Sequence, residues 1–358
     1  MSTEGMGPEG VGTGNGPAPG PGTAAETGFV VGTRGSALAV TQTTTVAEAL
    51  AAESGLAYEL VRVKTEGDVT SGPLSQLGGT GVFAAALRVS LLEGGCDVAI
   101  HSLKDLPSRQ PPGLVIAATP RRVDVRDALC ARDGLTLGTL PAGATVGTGS
   151  PRRAAQLRAA RPDLEVVDIR GNVGTRLGRV KGQAPAADDG GVGHGFQGDL
   201  DAVVLASAGL LRLGLQDHIT EYLDPAVMLP APGQGSLAVE CRPETAAAGA
   251  LAGALAALDD HDTRLAVTAE RALLARLEAG CSAPIGALAR VEGDALVLEA
   301  AVCSTDGTEV LRRSATGRDL TVSGAELVGR SLAELLLGEG AAALADLRTD
   351  VPVDPEGH

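Results

Sequence analysis

Seven arginines fall between Val146 and Arg179, in the stretch VGTGSPRRAAQLRAARPDLEVVDIRGNVGTRLGR. A guanidinium offers a planar fork of donors that matches carboxylate or phosphate oxygens, so this density calls for an anionic partner. The chain as a whole is acidic, with 44 Asp and Glu against 29 Lys and Arg and a formal net charge of -15. Most of its surface therefore repels nucleic acid, and the segment reads as an acid-binding active site for a small molecule. A second candidate is His101-Ser102-Leu103-Lys104-Asp105-Leu106-Pro107, directly after the apolar run Val98–Ile100. On its own a Lys-Asp pair is more often a solvated surface pair than a catalytic one. In a pocket ringed by Arg34, Arg152, Arg153, Arg170 and Arg176 it would supply a lone catalytic carboxylate among cations. Cys281 follows the helix-stopping Gly280, and a helix carboxyl end does not favour a thiolate, so local context makes it an inert cysteine.

These residues must be positioned by elements that the pattern also predicts. Phe29–Val31 is a short strand that enters Gly32-Thr33-Arg34-Gly35-Ser36 and then a helix from Ala37 to about Ala52, with Ser36 as N-cap. Thr145-Val146 repeats the design through Gly147-Thr148-Gly149-Ser150, with Ser150 as N-cap and Pro151 at the first helical position. Both turns carry arginine and aim a helix amino end at it, which makes each an anion cradle. Asp97–Ser102 and Asp201–Ser207 echo one another as buried strands. The fold class is thus α/β with two related lobes, ligands lying beyond the carboxyl ends of the strands. Residues 182–198 form a low-complexity insertion, expected as a surface loop. The last third predicts a small α+β domain: an amphipathic helix over Asp262–Glu278, antiparallel strands at 286–291, 295–304 and 308–314, and a closing helix from Gly324 to about Leu337.

Composition narrows the function classes. Aromatic residues make up 1% of the chain and Trp is absent, so stacking cannot be a general binding strategy. Five cysteines at wide spacings, with no C-x-x-C pair, argue against a disulfide framework and against a zinc site; no metal is expected, and a reducing cytoplasm fits. No apolar run approaches the roughly 18 residues of a membrane-spanning helix. Residues 1–27, rich in Gly, Pro, Thr and Glu, lack the features of a signal peptide and read as a disordered tail.

The stretches GTRGSALAVTQ, TEGD, GGTGVFAAAL, DVAIHSLKDLP, VGTGSPRRAAQL, DIRGNVGTRLGR, DAVVLASAGLLRLGL, LPAPGQGSLAVECR and ERALLARLEAGCSAPIGA occur in that order. In these motifs the chain resembles the hydroxymethylbilane synthase (porphobilinogen deaminase) family from Val30 into the C-terminal domain. The resemblance implies a cytoplasmic transferase of tetrapyrrole biosynthesis, which condenses four porphobilinogen molecules head to tail into hydroxymethylbilane with release of ammonia. It implies a dipyrromethane cofactor joined to Cys281 through a thioether; the cofactor precursor is a strong electrophile, so an unactivated thiol suffices. Asp105 matches the family's catalytic aspartate, which stabilises cationic pyrrole species, and Ser102 and Lys104 would position the acid side chains. Arg34, Arg152, Arg153, Arg170, Arg176 and Arg212 fall at carboxylate-binding positions, with Ser36, Thr148 and Ser150 adding hydroxyl or turn contacts. The implied architecture is two periplasmic-binding-protein-like lobes plus a small domain with a three-stranded antiparallel sheet: 28–121 completed by 232–257, then 122–231, then 258–358. Thr80 stands where many members carry a lysine, Ala279 replaces the first glycine of the usual Gly-Gly-Cys, and Gly149 and Pro151 alter the second anion turn.

Two other classes fit part of the pattern. Two lobes with anion cradles would suit a solute-binding protein that clamps a dicarboxylate, though an export signal is missing. A nucleic-acid-binding regulator would explain the arginines, but no helix-turn-helix stands out and the net charge opposes it. The favoured reading is a monomer acting on a small molecule, with neither nucleic acid nor membrane as partner. Nothing in residues 1–27 can bury apolar surface or supply chemistry. Deleting them is expected to leave turnover and melting temperature nearly unchanged, and a large loss in either would mean that the tail docks on the body.

Overall fold

The computed structural model describes residues 28–63, 82–182, 198–277 and 283–345. The segment 1–27, most of the 182–198 insertion, Thr80, Ala279, Gly280 and Cys281 lie outside the described residues. The chain first builds β1 (Gly28–Thr33), α1 (Ala37–Ser54), β2 (Ala57–Arg62), α2 (Val82–Leu92), β3 (Val98–Ser102) and β4 (Val115–Ala118). It then builds β5 (Asp127–Ala131), β6 (Thr145–Gly147), α3 (Pro151–Ala160), β7 (Glu165–Val167), α4 (Val173–Leu177), β8 (Ala202–Ala206), α5 (Ser207–Arg212) and β9 (Glu221–Tyr222). It returns as β10 (Leu237–Cys241), α6 (Pro243–Ala247) and α7 (Ala250–Leu258).

The two sheets share one topology. Their strand orders are β2-β1-β3-β10-β4 and β7-β6-β8-β5-β9. In the first, β1 runs parallel to β2 and β3 while β10 runs antiparallel to β3 and β4. In the second, β6 is parallel to β7 and β8 while β5 is antiparallel to β8 and β9. Each sheet therefore receives one antiparallel strand just as the chain crosses between them. The crossings touch: Val123 N–H donates to the Gly235 carbonyl at 3.4 Å and Arg122 Nε to the Gln234 carbonyl at 2.8 Å.

Local sequence explains the helices that face the cleft. Ser36 caps α1 by accepting from Ala39 N–H at 3.3 Å, and Gly55, at φ +73°, ends it in the left-handed region. Val46, Ala47 and Leu50 bury one face of α1 against Phe29, Val31, Val98 and Val239. Ser150 caps α3 by accepting from Arg153 N–H, with Pro151 in the first turn, and Leu157 packs on Leu129, Val146 and Val204. Gly149 approaches the Ile169 carbonyl so closely that no Cβ could be housed there. Both expected N-caps are thus in place, and each lies at the carboxyl end of a strand.

The last unit comprises α8 (His261–Arg276), the antiparallel strands β11 (Ile285–Glu292), β12 (Ala295–Cys303) and β13 (Val310–Gly317), α9 (Val322–Gly338) and α10 (Ala341–Leu344). Leu265, Leu273, Leu298, Val302, Leu332 and Leu336 form its core. The third strand starts later than the sequence suggests. Asp306 accepts from Ser304 Oγ, Thr308 N–H and Thr308 Oγ1, which holds 304–308 in a turn. The expected closing helix, α9, starts earlier than the sequence suggests because Thr321, not a later residue, caps it by accepting from Gly324 N–H.

A buried carboxylate ties this unit to both crossings. Glu270 on α8 is fully buried; it accepts from Arg122 Nη1 at 2.6 Å and Nη2 at 3.1 Å, from Gly233 N–H at 2.6 Å and from Ala289 N–H at 2.8 Å. Removing one partner of such a pair strands the other charge. Glu270→Gln is expected to lower the unfolding free energy by about 3–5 kcal/mol in urea titration; a loss below about 1 kcal/mol would contradict the strut. Glu240, buried on β10, offers a pH signature. Burial alone would raise its carboxyl, but His101 and Arg88 outweigh that and hold it at about 2 against an ordinary 4.5. As pH falls below 4.5 the unfolded chain takes up this proton first, so stability is lost towards pH 2. Glu240→Gln is expected to be less stable at pH 7 and to show a shallower acid limb in that window, read by denaturation at several pH values.

Candidate active site

The sequence motif His101–Pro107 folds as the end of β3 followed by one tight turn, Leu103–Asp105. Leu103 is buried and its N–H donates to the Ser236 carbonyl at 3.0 Å, which pins the turn to the returning chain. The pinned core residue turns Asp105 outward. Asp105 is exposed and lines a cavity with Arg34, Ser36, Gln42, His101 and Ser102. The downstream loop is gripped by Arg271 of α8, whose Nη2 donates to the Pro107 carbonyl at 2.7 Å and the Ser108 carbonyl at 3.1 Å. The carboxylate is therefore presented by a backbone fixed on both sides.

Beneath the cavity lies a second fixed layer. Glu240 receives Arg88 Nε at 3.0 Å, Arg88 Nη2 at 2.9 Å and the Gln110 amide, and His101 Nε2 lies 3.2 Å from its other oxygen. Ser102 Oγ donates to Gln42 Oε1 at 3.2 Å, linking β3 to α1. Lys104 is half-buried, and its ammonium is lowered to about 8 by burial first and by Arg153 second. Asp105 opposes that shift, so the two motif residues interact directly through charge.

The arginines divide into two groups. Arg152 and Arg153 are both buried and share Asp127: Arg152 Nη1 reaches Oδ2 at 2.8 Å, while Arg153 Nε and Nη2 reach Oδ1 at 3.0 and 2.8 Å. Arg152 Nη1 also donates to the Leu229 carbonyl and its charge is felt at Cys303, so it braces the third unit as well, while its charge also acts on Lys104. Arg153 keeps an influence on the cleft, since its charge acts on both Lys104 and Arg176. Thr148 is buried, and its hydroxyl accepts from Ser150 N–H at 3.2 Å, so it shapes the turn.

Arg170 and Arg176 form the second group. Arg170 pairs with Asp168 at 3.3 Å, yet its Nε and Nη1 are shielded from solvent with no hydrogen-bond partner among the described residues. Arg176 Nε is likewise shielded and has no hydrogen-bond partner among the described residues. Its guanidinium is lowered to about 10, by burial first and then by Arg153 and Arg170, with Asp168 and Asp105 only partly offsetting them. Arg212, at the end of α5, donates to the Gly235 carbonyl at 3.0 Å and is lowered to about 10 by burial. Shielded donors among like charges cost free energy unless an anion meets them. The cleft suits a ligand with several carboxylates.

The four described cysteines do not compete for the chemistry. Cys96, Cys130, Cys241 and Cys303 are buried; burial pushes the thiols of Cys241 and Cys303 to about 11 and that of Cys130 to about 12, far from reactive thiolates. Asp127, Glu240, Gln234 and Glu270 were not identified as parts of the site from sequence. A charged residue inside an apolar strand, as in DALCA and LAVEC, is the signal that could have found the first two, because it demands a buried partner.

Residues 29–249 match the family model described as Porphobilinogen deaminase, dipyromethane cofactor binding domain, and residues 264–338 match Porphobilinogen deaminase, C-terminal domain. The porphobilinogen deaminase of Micrococcus luteus is 56% identical over 352 residues, covering 88% of this chain and 93% of that protein. That of Cutibacterium acnes is 53% identical over 329 residues, covering 89% and 97%, and that of Mycobacterium marinum is 52% identical over 325, covering 87% and 97%. A solved periplasmic substrate-binding protein from Coxiella burnetii is a looser neighbour, with a TM-score of 0.39 and 14% identity over 64% of this chain and 91% of that one. With two family models spanning both lobes and the third unit in order, and relatives more than half identical over most of its length, the chain belongs to the porphobilinogen deaminase family.

Proposed function

We propose that this chain condenses four porphobilinogen molecules head to tail on a covalently bound dipyrromethane primer, releasing ammonia at each addition and finally hydroxymethylbilane, as a step of tetrapyrrole biosynthesis. The observation that carries the reading, beside family membership, is the cleft's only partly offset positive charge, with shielded guanidinium donors facing it. Each pyrrole of primer and substrate bears an acetate and a propionate, so the donors of Arg170 and Arg176 are of the type such a group requires. When bound, the primer supplies the free pyrrole carbon to which the first substrate is joined. Cys281 is the proposed attachment point, and the deep burial of the four described cysteines supports that choice. We assign 28–121 with 232–257, 122–231 and 258–358 as the three units.

Arg34, Lys104, Arg152, Arg153, Arg170, Arg176 and Arg212 would hold acid side chains, with Ser36, Ser102, Thr148 and Ser150 fixing the turns that present them. Asp105 would face the positive charge that develops on the substrate pyrrole as ammonia leaves, and again before the proton is lost from the newly joined ring. Its pinned turn means that little reorganisation is needed at that moment. The chemistry needs no metal-binding group from the protein. No described helix is long and apolar enough to cross a membrane; a cytoplasmic monomer is part of the proposal.

Three variants test it. Asp105→Asn is expected to retain bound pyrrole, detected by an aldehyde colour reaction in acid, while turnover falls by about 10²–10³. Cys281→Ser is expected to give no colour and no turnover. Retained colour in Cys281→Ser would move the attachment point. Arg176→Leu is expected to cut kcat/KM by about 10–100-fold, the worth of a charged hydrogen bond. Because the arginine is shielded among cations, its unfolding midpoint should be unchanged or raised; unaltered kinetics would remove Arg176 from the site.

A further inference from the structure

Gln234 lies at the tip of the returning crossing, fully buried, between glycines at φ +76° (Gly233) and φ +86° (Gly235). The turn presses on the catalytic loop. A Cβ on Gly233 would sit 3.2 Å from Leu103 Cγ and 3.3 Å from Lys104 N, so only glycine brings the two backbones this close. The side-chain amide then has little choice of orientation. Nε2 donates to the Val125 carbonyl and to Asp127 Oδ1, both at 2.8 Å. Neither of those atoms can donate, so the nitrogen must face them, and Oε1 faces the other way. There it lies 3.4 Å from Lys104 Nζ.

We infer that Gln234 is a positioning residue that joins Lys104 to Asp127, and through Asp127 to Arg153, so that one cation from each sheet is held at a set spacing for substrate carboxylates. The inference rests on the proposed function for the role of Lys104, and its structural half stands on the contacts alone. A carboxamide is suited to this place because it donates to an anion on one side while accepting from a cation on the other. A glutamate would set a second anion against Asp127 and would neutralise Lys104. An apolar residue would leave the Lys104 ammonium and Asp127 each one contact poorer. The charged groups acting on Lys104 are Arg153 and Arg152, which disfavour its ammonium, and Asp105 and Asp127, which favour it. With the ammonium lowered to about 8, mainly by burial, the loss or gain of one polar neighbour moves it through an accessible pH range.

The chain contains three lysines, Lys64, Lys104 and Lys181, so a holoenzyme carrying 13C at lysine Cε should give three side-chain signals, with Lys104→Arg identifying one. In Gln234→Met, of similar length but without polar atoms, the Lys104 titration midpoint is expected to fall by about half a pH unit or more, the effect of one lost polar neighbour. The alkaline limb of kcat/KM should fall with it, and KM should rise several-fold. Gln234→Glu should move the midpoint upward. Opposite displacements are not expected of a merely structural residue. Gln234→Asn guards against misfolding, since it keeps the amide but is too short to span both partners; it should follow Gln234→Met in direction. A Lys104 midpoint unchanged in every variant that melts like the parent would overturn the inference. Midpoints that move as stated in a protein inactive on porphobilinogen would leave the contact standing and remove the proposed function instead.

Discussion

The buried carboxylate of Asp127 is the interaction on which the cleft depends. It sits at the start of β5, fully shielded, and gathers Arg152, Arg153 and Gln234 around one pair of oxygens. Burial would raise its carboxyl, but the two guanidiniums overcome that and hold it well below the ordinary carboxylate range. One anion thus fixes two cations and an amide, leaving a positive excess directed at the cleft. Lys104 and Arg176 both feel Arg153 and both hold their protons less tightly for it. Such a site is strained in charge until a polyanion fills it, which is the condition expected of a receptor for acetate and propionate side chains.

The same economy shapes the fold. Two sheets of equal topology each take one antiparallel strand at the crossings, so the crossings lie side by side and carry the residues that join the units. Arg122, Gly233 and Ala289 meet on Glu270, and Gln234 meets Asp127 and Lys104 a few residues away. Asp105 is set by this arrangement from three sides: β3 behind it, the Ser236 carbonyl beneath Leu103, and Arg271 on the loop that follows. A catalytic carboxylate so placed keeps its position as a growing chain fills the space around it.

Much of this was legible in sequence because it is local. Ser36 and Ser150 as caps, Pro151 in the first turn, and the apolar runs of β3 and β8 all follow from rules that act within a few residues. Charge density identified the arginines but could not apportion them. Arg152 and Arg153 are neighbours in one helical turn, yet only the long-range partners Leu229 and Cys303 reveal that the first also braces the third unit. Gln234 and Glu270 were illegible for the same reason, since the side-chain partners of Gln234 lie more than 100 residues away in sequence and those of Glu270 between 19 and 148. The delay of β13 was a local matter that Asp306 could have announced, as an aspartate whose side chain satisfies the turn.

The most direct measurement is intact-protein mass spectrometry of the parent, purified from cells that make porphobilinogen, before and during turnover. The account predicts a mass in excess of the polypeptide by two pyrrole units, all of it on the peptide containing Cys281. Brief exposure to porphobilinogen should add a ladder of one to four further units. Active protein whose mass equals that of the bare polypeptide throughout turnover would contradict it.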